Sequence, residues 1–285
     1  MPGSRFTDLD RPPLSEPALR RALVDDAAGA GALARLEVVA EAGSTNADLL
    51  AHAGDPDAWP HRSLLVAEHQ QAGRGRLDRT WVTPPRAALT LSLLLRPSAP
   101  RGRWGWLPLL AGVAVVRALR EGSGVDAGLK WPNDVLLPPR PGTDEGAGKV
   151  AGLLAQVEGD AVVLGIGLNV TSTAEELPPG GTSLRLAGAA TTDRDTVLRT
   201  LVRELLRQLD AFEAADGDAV ASGLAGAARE LCVTLGQAVR VERPGGALLG
   251  DAEGLDDDGR LLVREASGAL TAVAAGDVVH LRAAT

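Results

Sequence analysis

Tyrosine is absent from the 285-residue chain, cysteine and methionine occur once each, phenylalanine twice, and lysine only at Lys130 and Lys149. A lone Cys232 excludes an intrachain disulfide and any cysteine-built zinc site, as expected of a protein in a reducing cytoplasm. The four histidines, at 52, 61, 69 and 280, lie too far apart in sequence to give metal-ligand spacing. No apolar stretch reaches the ~18 residues of a membrane span. Met1 to Pro13 is polar and carries prolines, so no signal peptide is expected. A net charge of −8 argues against a general nucleic-acid surface, because neutralising phosphates requires clustered positive charge. No Ser-His-Asp or Cys-His set stands out as a nucleophilic centre.

What is present is a chain of 45% apolar residues, rich in Gly, Ala, Val and Leu, long enough for one large domain and a small one. Of the 29 basic residues only two are lysines, the remaining 27 being arginine. That bias, with the abundant Ala and Gly, reads as the mark of a genome rich in G and C.

Residues 14–30 read as a short helix, capped by Ser15, with Pro17 in its first turn and Leu19, Leu23 and Val24 on one face. It is too short and isolated for a winged helix-turn-helix of about 60 residues. A strand is expected over 33–40. A helix follows from Ser44, with Ser-Thr-Asn as cap and first turn and Leu49 and Leu50 on its buried side. Further strands are expected over 63–68 and 87–95, then a long apolar helix over 104–121 ended by Gly122 and Gly124. Strands at about 128–137, 149–157 and 160–168 come next, the first two separated by an exposed loop, Pro138 to Gly148. An amphipathic helix spans 192–214, with Val197, Leu201, Leu205 and Leu209 on one face. After about residue 230, short Val- and Leu-containing runs alternate with turns, the pattern of a small barrel of about 50 residues.

Three segments and a helix start carry chemistry. In Glu68-His-Gln-Gln-Ala-Gly-Arg-Gly-Arg76, Gly73 and Gly75 let the backbone come close to a ligand, and Arg74 and Arg76 supply charge and forked donors. An ordinary charged surface loop has the same composition. In Leu129-Lys-Trp-Pro-Asn-Asp-Val135, Lys130 would point a compact positive charge into an adjacent cleft, or simply sit solvated at a strand end. In Gly165-Ile-Gly-Leu-Asn169, alternate glycines clear one face of a strand for a flat ligand or for tight packing, and Asn169 adds an amide. Ser44-Thr-Asn46 by itself is a helix cap.

Taken together in chain order, the four segments resemble the catalytic domain of the biotin–protein ligases, over about 33–190. Val150-Ala-Gly-Leu-Leu154 is similar to that family's Lys-Leu-Ala-Gly-Ile-Leu stretch, and Thr182-Ser-Leu184 to its Thr-Ser-Leu. Ala275 to Arg282 resembles the end of its C-terminal SH3-like barrel. The fold implied is α+β: a mixed β-sheet flanked by helices, of the class II synthetase kind, followed by that barrel. The expected division is an N-terminal extension 1–32, a catalytic domain 33–229 and a barrel 230–285.

The resemblance implies ATP-dependent formation of biotinyl-5′-AMP and transfer of biotin to a lysine of a biotin carboxyl carrier protein or carrier domain. Biotin contacts would come from Ser44, Thr45, Asn46, Gln70, Gly73, Arg74, Arg76, Lys130, Gly165 and Gly167. ATP or adenylate contacts would come from Arg76, Arg79, Trp81, Lys130, Asn133 and Asn169. Lys130, Arg76 and Arg74 would be catalytic. Mg²⁺ is implied by ATP chemistry, with Asp134 a bare candidate ligand; DNA and membrane are not expected as partners.

Three departures stand out. The basic loop continues as Leu77-Asp78-Arg79 where the family often has Arg-Gly-Arg, Gln156 stands where Glu is common, and the Pro138–Gly148 loop is long and expected to stay outside the site. Competing readings are a lipoate or octanoate ligase of the same fold, a biotin-responsive DNA-binding repressor, and a non-catalytic adenylate-binding module.

Overall fold

Seven strands form one sheet in the order β1-β2-β3-β7-β6-β5-β4 in a computed structural model of the chain. The structure describes residues 10–25, 32–77, 79–139, 146–243, 246–274 and 276–281. The strands are β1 (Arg35–Val39), β2 (Ser63–Ala67), β3 (Ala88–Leu95), β4 (Gly128–Lys130), β5 (Asp134–Leu137), β6 (Gly148–Glu158) and β7 (Ala161–Asn169). β1 and β2 are parallel and every other pair is antiparallel, so the sheet is mixed.

Alternation along the strands assigns the two faces of the sheet. On β7, Val162, Leu164, Ile166 and Leu168 join the main core, and so do Leu89, Leu91, Leu93 and Leu95 of β3. Helices α3 (Leu107–Ser123) and α4 (Arg194–Ala214) share that core. Pro108 suits the first turn of α3, and Gly124, at φ +67°, ends it in the left-handed region where no Cβ is tolerated cheaply. Gly122 lies inside α3 and lets Thr200 of α4 approach; a Cβ there would sit 2.9 Å from Thr200 Cγ2. On α4 the expected stripe of Val197, Leu201, Leu205 and Leu209 is buried, behind an Asp193 cap that accepts from Thr196 N at 2.8 Å.

The opposite face carries helix α2 (Thr45–Ala51), whose Leu49 packs with Leu65, Leu94, Ala161 and Val163 in a smaller cluster. Beyond that cluster the same face of β7 continues as Gly165, Gly167 and Asn169. The sheet is therefore roofed at one end and open at the other.

The N-terminal segment is part of this body. Helix α1 (Glu16–Arg20) and the π-turn Arg21–Asp25 bury Leu19 and Leu23 in the main core, beside Leu14. The expected helix ran to residue 30, but 26–31 lie outside the described residues, as do 1–9, Asp78 and most of the Pro138–Gly148 loop.

A second, antiparallel sheet has the order β11-β10-β9-β8-β12. It comprises β8 (Ala238–Glu242), β9 (Leu248–Leu255), β10 (Leu261–Arg264), β11 (Leu270–Val273) and β12 (Asp277–His280). It is preceded by helix α5 (Leu224–Leu231). Neither α5 nor β11 was expected: α5 is short and Ala-Gly-rich, and β11 is a four-residue edge strand with only Val273 buried. Two tryptophans tie this sheet to the large one. Trp106 Nε1 donates to Asp257 O (2.9 Å), and Trp131 Nε1 to Gly259 O (3.0 Å).

Candidate active site

A cavity of about 680 Å³ opens over the bare end of the large sheet. Most of the expected residues line it: Ser44, Thr45, Asn46, Gln70, Arg74, Arg76, Arg79, Trp81, Asn133, Gly165, Gly167 and Asn169. Its two ends differ in chemistry.

One end is neutral. Ser44 caps α2 from an extended backbone, which delivers Thr45 and Asn46 to the sheet. Thr45 donates to Gln70 Oε1 from its backbone N (2.8 Å) and its hydroxyl (3.0 Å). Asn46 Nδ2 donates to Gln156 Oε1 (2.8 Å) and Leu154 O (3.2 Å). Between them lies buried Ser92 of β3, whose Oγ is 2.7 Å from Thr45 Oγ1 and 2.6 Å from Asn46 Oδ1. Its single proton serves only one of these at a time, so the cluster has room for one more donor. Ser92 was not anticipated; its signal, a serine alternating with the leucines of an apolar strand, is weak. Gln156 now has a role: its neutral amide oxygen fixes the orientation of Asn46.

The other end is charged, with Arg74, Arg76, Arg79 and Lys149 set against Asp134 and Asp277. Arg76 Nη1 donates to Asn133 Oδ1 (3.0 Å), and Asn133 is itself held by Nδ2 donating to Leu153 O (2.9 Å). Asn133 thus positions Arg76, its amide being engaged by protein groups. Burial pushes the Arg76 guanidinium below the usual arginine value, against the opposing pull of Asp134 and Asp277. Arg79 pairs with Asp277 of the small sheet, and that bond raises its pKa. Arg74 is exposed and makes no hydrogen bond or ion pair among the described residues.

Lys130 is not at this site. It does not line the cavity; Lys149 does, with Nζ 2.6 Å from Asp134 Oδ1. The cause is strand order. Lys149 begins β6, next to β7, whereas Lys130 ends β4, three strands from the glycine floor and roughly 14 Å away at ordinary strand spacing. Lys130 instead acts on His280, whose pKa is lowered by burial first and by this positive charge second. Thr234 Oγ1 links the two sheets there, 3.1 Å from His280 Nε2 and accepting from Trp131 N at 3.0 Å. A signal for Lys149 existed in the sequence: the compared stretch Lys-Leu-Ala-Gly-Ile-Leu puts its lysine one position before Val150.

The glycines make room for protein groups. Gly73 and Gly75 let the basic loop fold on itself: a Cβ at Gly73 would stand 2.3 Å from Trp81 O, and Gly75 N donates to Arg79 O (2.6 Å). Gly73 does not line the cavity. Gly165 and Gly167 leave space that protein side chains use, since a Cβ would meet Asn46 Oδ1 at 2.2 Å and the Trp81 indole at 2.4 Å. Gly152, opposite Gly167, completes the floor beneath Trp81 and Lys149. Trp81 Nε1 and Asn169 Oδ1, both buried here, have no hydrogen-bond partner among the described residues. Asn169 is 4% exposed and its Nδ2 donates to Thr182 O (3.0 Å).

Family models, relatives and solved structures match the chain. The model of the biotin/lipoate A/B protein ligase family matches residues 44–170, and that of the biotin protein ligase C-terminal domain matches 234–281. The chain is 44% identical over 284 residues to a biotin–[acetyl-CoA-carboxylase] ligase of Mycobacterium tuberculosis, covering 97% of this chain and 100% of that protein. It is 35% identical over 195 residues to the bifunctional ligase/repressor BirA of Escherichia coli, covering 64% of this chain and 55% of that protein. Among solved structures, the biotin protein ligase from Aquifex aeolicus in complex with biotin and ATP aligns with a TM-score of 0.71 at 28% identity, over 88% of this chain and 100% of that one.

Proposed function

The chain belongs to the biotin–protein ligases, and from that membership and the chemistry of its cavity we propose a two-step reaction. It joins biotin to ATP as biotinyl-5′-AMP, then transfers the biotinyl group to a lysine of a biotin carboxyl carrier protein or of a carboxylase's carrier domain. The observation that carries this reading is a single cavity with an uncharged hydrogen-bonding end and a cationic end. Biotin is built the same way, with a neutral ureido ring at one end and a carboxylate at the other. The Gln70–Thr45–Ser92–Asn46 cluster, short of one donor, suits a ring that offers both N–H and C=O. A lipoyl or octanoyl chain has no group to engage it, and burying those polar side chains unpaired would cost affinity.

In the first step a biotin carboxylate oxygen attacks the α-phosphorus of ATP, and the bond to the pyrophosphate oxygen breaks. In the second, the carrier lysine nitrogen attacks the acyl carbon, AMP leaves with the bonding electron pair, and the amine sheds its proton. Neither step needs an enzyme nucleophile, so positioning and electrostatics carry the catalysis. Lys149 and Arg76 are the groups suited to hold the carboxylate and α-phosphate, with Asn133 keeping Arg76 in place. Asn169 Oδ1 offers an acceptor to an amino group such as adenine's. The loop from Gln70 to Trp81 is the natural cover against water, because the mixed anhydride hydrolyses.

ATP brings Mg²⁺. Among the described residues no group of three or more His, Cys, Asp or Glu could hold an ion. Mg²⁺ needs only one or two carboxylates beside phosphate oxygens. Asp134 can supply one, so the residues fit an ion carried mainly by the nucleotide, neutralising its phosphates. No helix among the described residues is long and apolar enough to cross a membrane, and we assign the reaction to the cytoplasm. We retain 33–229 as the catalytic unit and 230–285 as the barrel.

Mass spectrometry of the purified protein with ATP and biotin tests this reading, with biotinyl-5′-AMP expected, followed by a biotinylated carrier lysine. Activation of lipoate or octanoate but not biotin would overturn it.

A further inference from the structure

Residues 11–15 run as an extended strap between two loops that border the cavity, and none of them lines it. Arg11 grips one loop. Its guanidinium donates to Glu176 Oε1 (3.1 Å) and Oε2 (2.6 Å), and to Thr171 O (3.2 Å). Glu176 in turn accepts from Thr173 N at 2.9 Å, and the bond from Arg11 holds its carboxyl below the usual range. The next residues, Leu177 to Gly181, form one wall of the cavity. That wall is stitched to the backbone of Lys149: Lys149 N donates to Gly180 O (2.8 Å), and Thr182 N donates to Lys149 O (2.9 Å).

The other end of the strap holds the root of the basic loop. Leu14 N donates to Glu68 Oε1 (2.6 Å), while Arg194 bonds Glu68 Oε2 (2.6 Å) and Pro12 O (2.6 Å). Ser15 N reaches Asp195 Oδ1 (3.0 Å), and Leu14 is buried. Glu68 stands two residues before Gln70, where the loop enters the cavity. One short strap thus braces both the wall behind Lys149 and the base of the loop bearing Arg76.

We propose that Arg11 is a positioning residue for the acyl-adenylate: through Glu176 it sets the 177–181 wall and the Lys149 backbone, and so controls how long the intermediate is retained. This rests on the ligase reading above. A displacement on the order of 1 Å in such a wall is enough to change rates markedly. Among the described residues Arg11 and Glu176 make no hydrogen bond or ion pair with the neutral cluster around Ser92, so biotin alone should not sense their loss.

The experiment measures the dissociation rate of preformed biotinyl-5′-AMP and the Kd of biotin in the full chain. Arg11→Ala and Glu176→Gln should each raise the adenylate off-rate about tenfold and leave biotin Kd within about twofold. Arg11→Lys, which keeps charge but not the fork, should recover part of the loss. Arg62→Ala is the control for stability. Arg62 makes a comparably buried double ion pair with Asp210 and Glu213, remote from the cavity. It should lower Tm while the off-rate stays at the parent value. An unchanged off-rate in Arg11→Ala and Glu176→Gln would overturn the proposal, as would an equal rise in Arg62→Ala. Failure of the parent to form any adenylate would instead overturn the ligase reading on which the proposal stands.

Discussion

At the roofed end of the cavity Gln70, Thr45, Ser92, Asn46 and Gln156 hold one another with neutral hydrogen bonds anchored on α2, β3 and β6, one donor short. At the open end Arg76, Lys149 and Arg79 lean on Asn133, Asp134 and Asp277. The first arrangement is built in advance. Thr45, Asn46 and Ser92 are buried and Gln70 and Gln156 half-buried, so removing one strands the others, and recognition is specific because the cost of mispairing is high. The second consists of partners that a substrate anion can replace. An exposed ion pair is worth only about 0–1 kcal/mol, so exchanging Asp277 on the exposed Arg79 for a phosphate or carboxylate costs little. One end is made to recognise and the other to rearrange.

The largest effect should separate the two lysines. Lys149→Ala is expected to slow single-turnover pyrophosphate release by ~10²-fold or more, the usual loss for one transition-state charge contact, while Lys130→Ala stays within about threefold. Equal losses would erase the distinction drawn from strand order. Arg76→Gly comes next. Loss of a charge-assisted bond of ~1.5–3 kcal/mol should speed adenylate escape by about one to two orders of magnitude. Labelled biotin would then appear on a bystander protein such as albumin; unlabelled albumin and a parent-like off-rate would mean that the loop is not the cover.

A smaller effect belongs to the neutral end. Ser92→Ala should weaken biotin binding roughly tenfold, as for one unsatisfied buried partner, without altering the KM for ATP. Calorimetry that found both constants changed would show the ends to be coupled. The smallest concerns the inter-sheet cluster. His280 titrates below its unfolded value of 6.5, so the unfolded chain binds more protons just under that pH. Its contribution is complete above the unfolded pKa and is lost as pH falls towards the folded one. Urea unfolding between about pH 8 and pH 5 should therefore lose stability less steeply in His280→Gln than in the parent. Identical slopes would remove His280, and with it the influence of the Lys130 charge, from the cluster.

Much of this was legible in the chain. Period-2 and period-3.6 patterns in strands such as Ala238–Glu242 and in the helix Arg194–Ala214 reflect one-sided burial, which sequence encodes directly. The Gly-Arg loop, Ser44-Thr-Asn46, Gln70 and Gly165-Ile-Gly-Leu-Asn169 were readable because each needs particular residue types at fixed local spacing. The helix Leu224–Leu231 was not, since its Ala-Gly composition carries little periodic contrast.

By itself, then, the sequence determined most of the elements and most of the residue types that line the cavity, because local backbone preference and burial are short-range. Which lysine reaches the cavity was decided only by the order β7-β6-β5-β4. The pairing of Arg79 with Asp277 and of Arg11 with Glu176 likewise joins residues more than 150 positions apart. Such contacts depend on how strands are ordered and sheets are docked, and no local spacing in the chain records that.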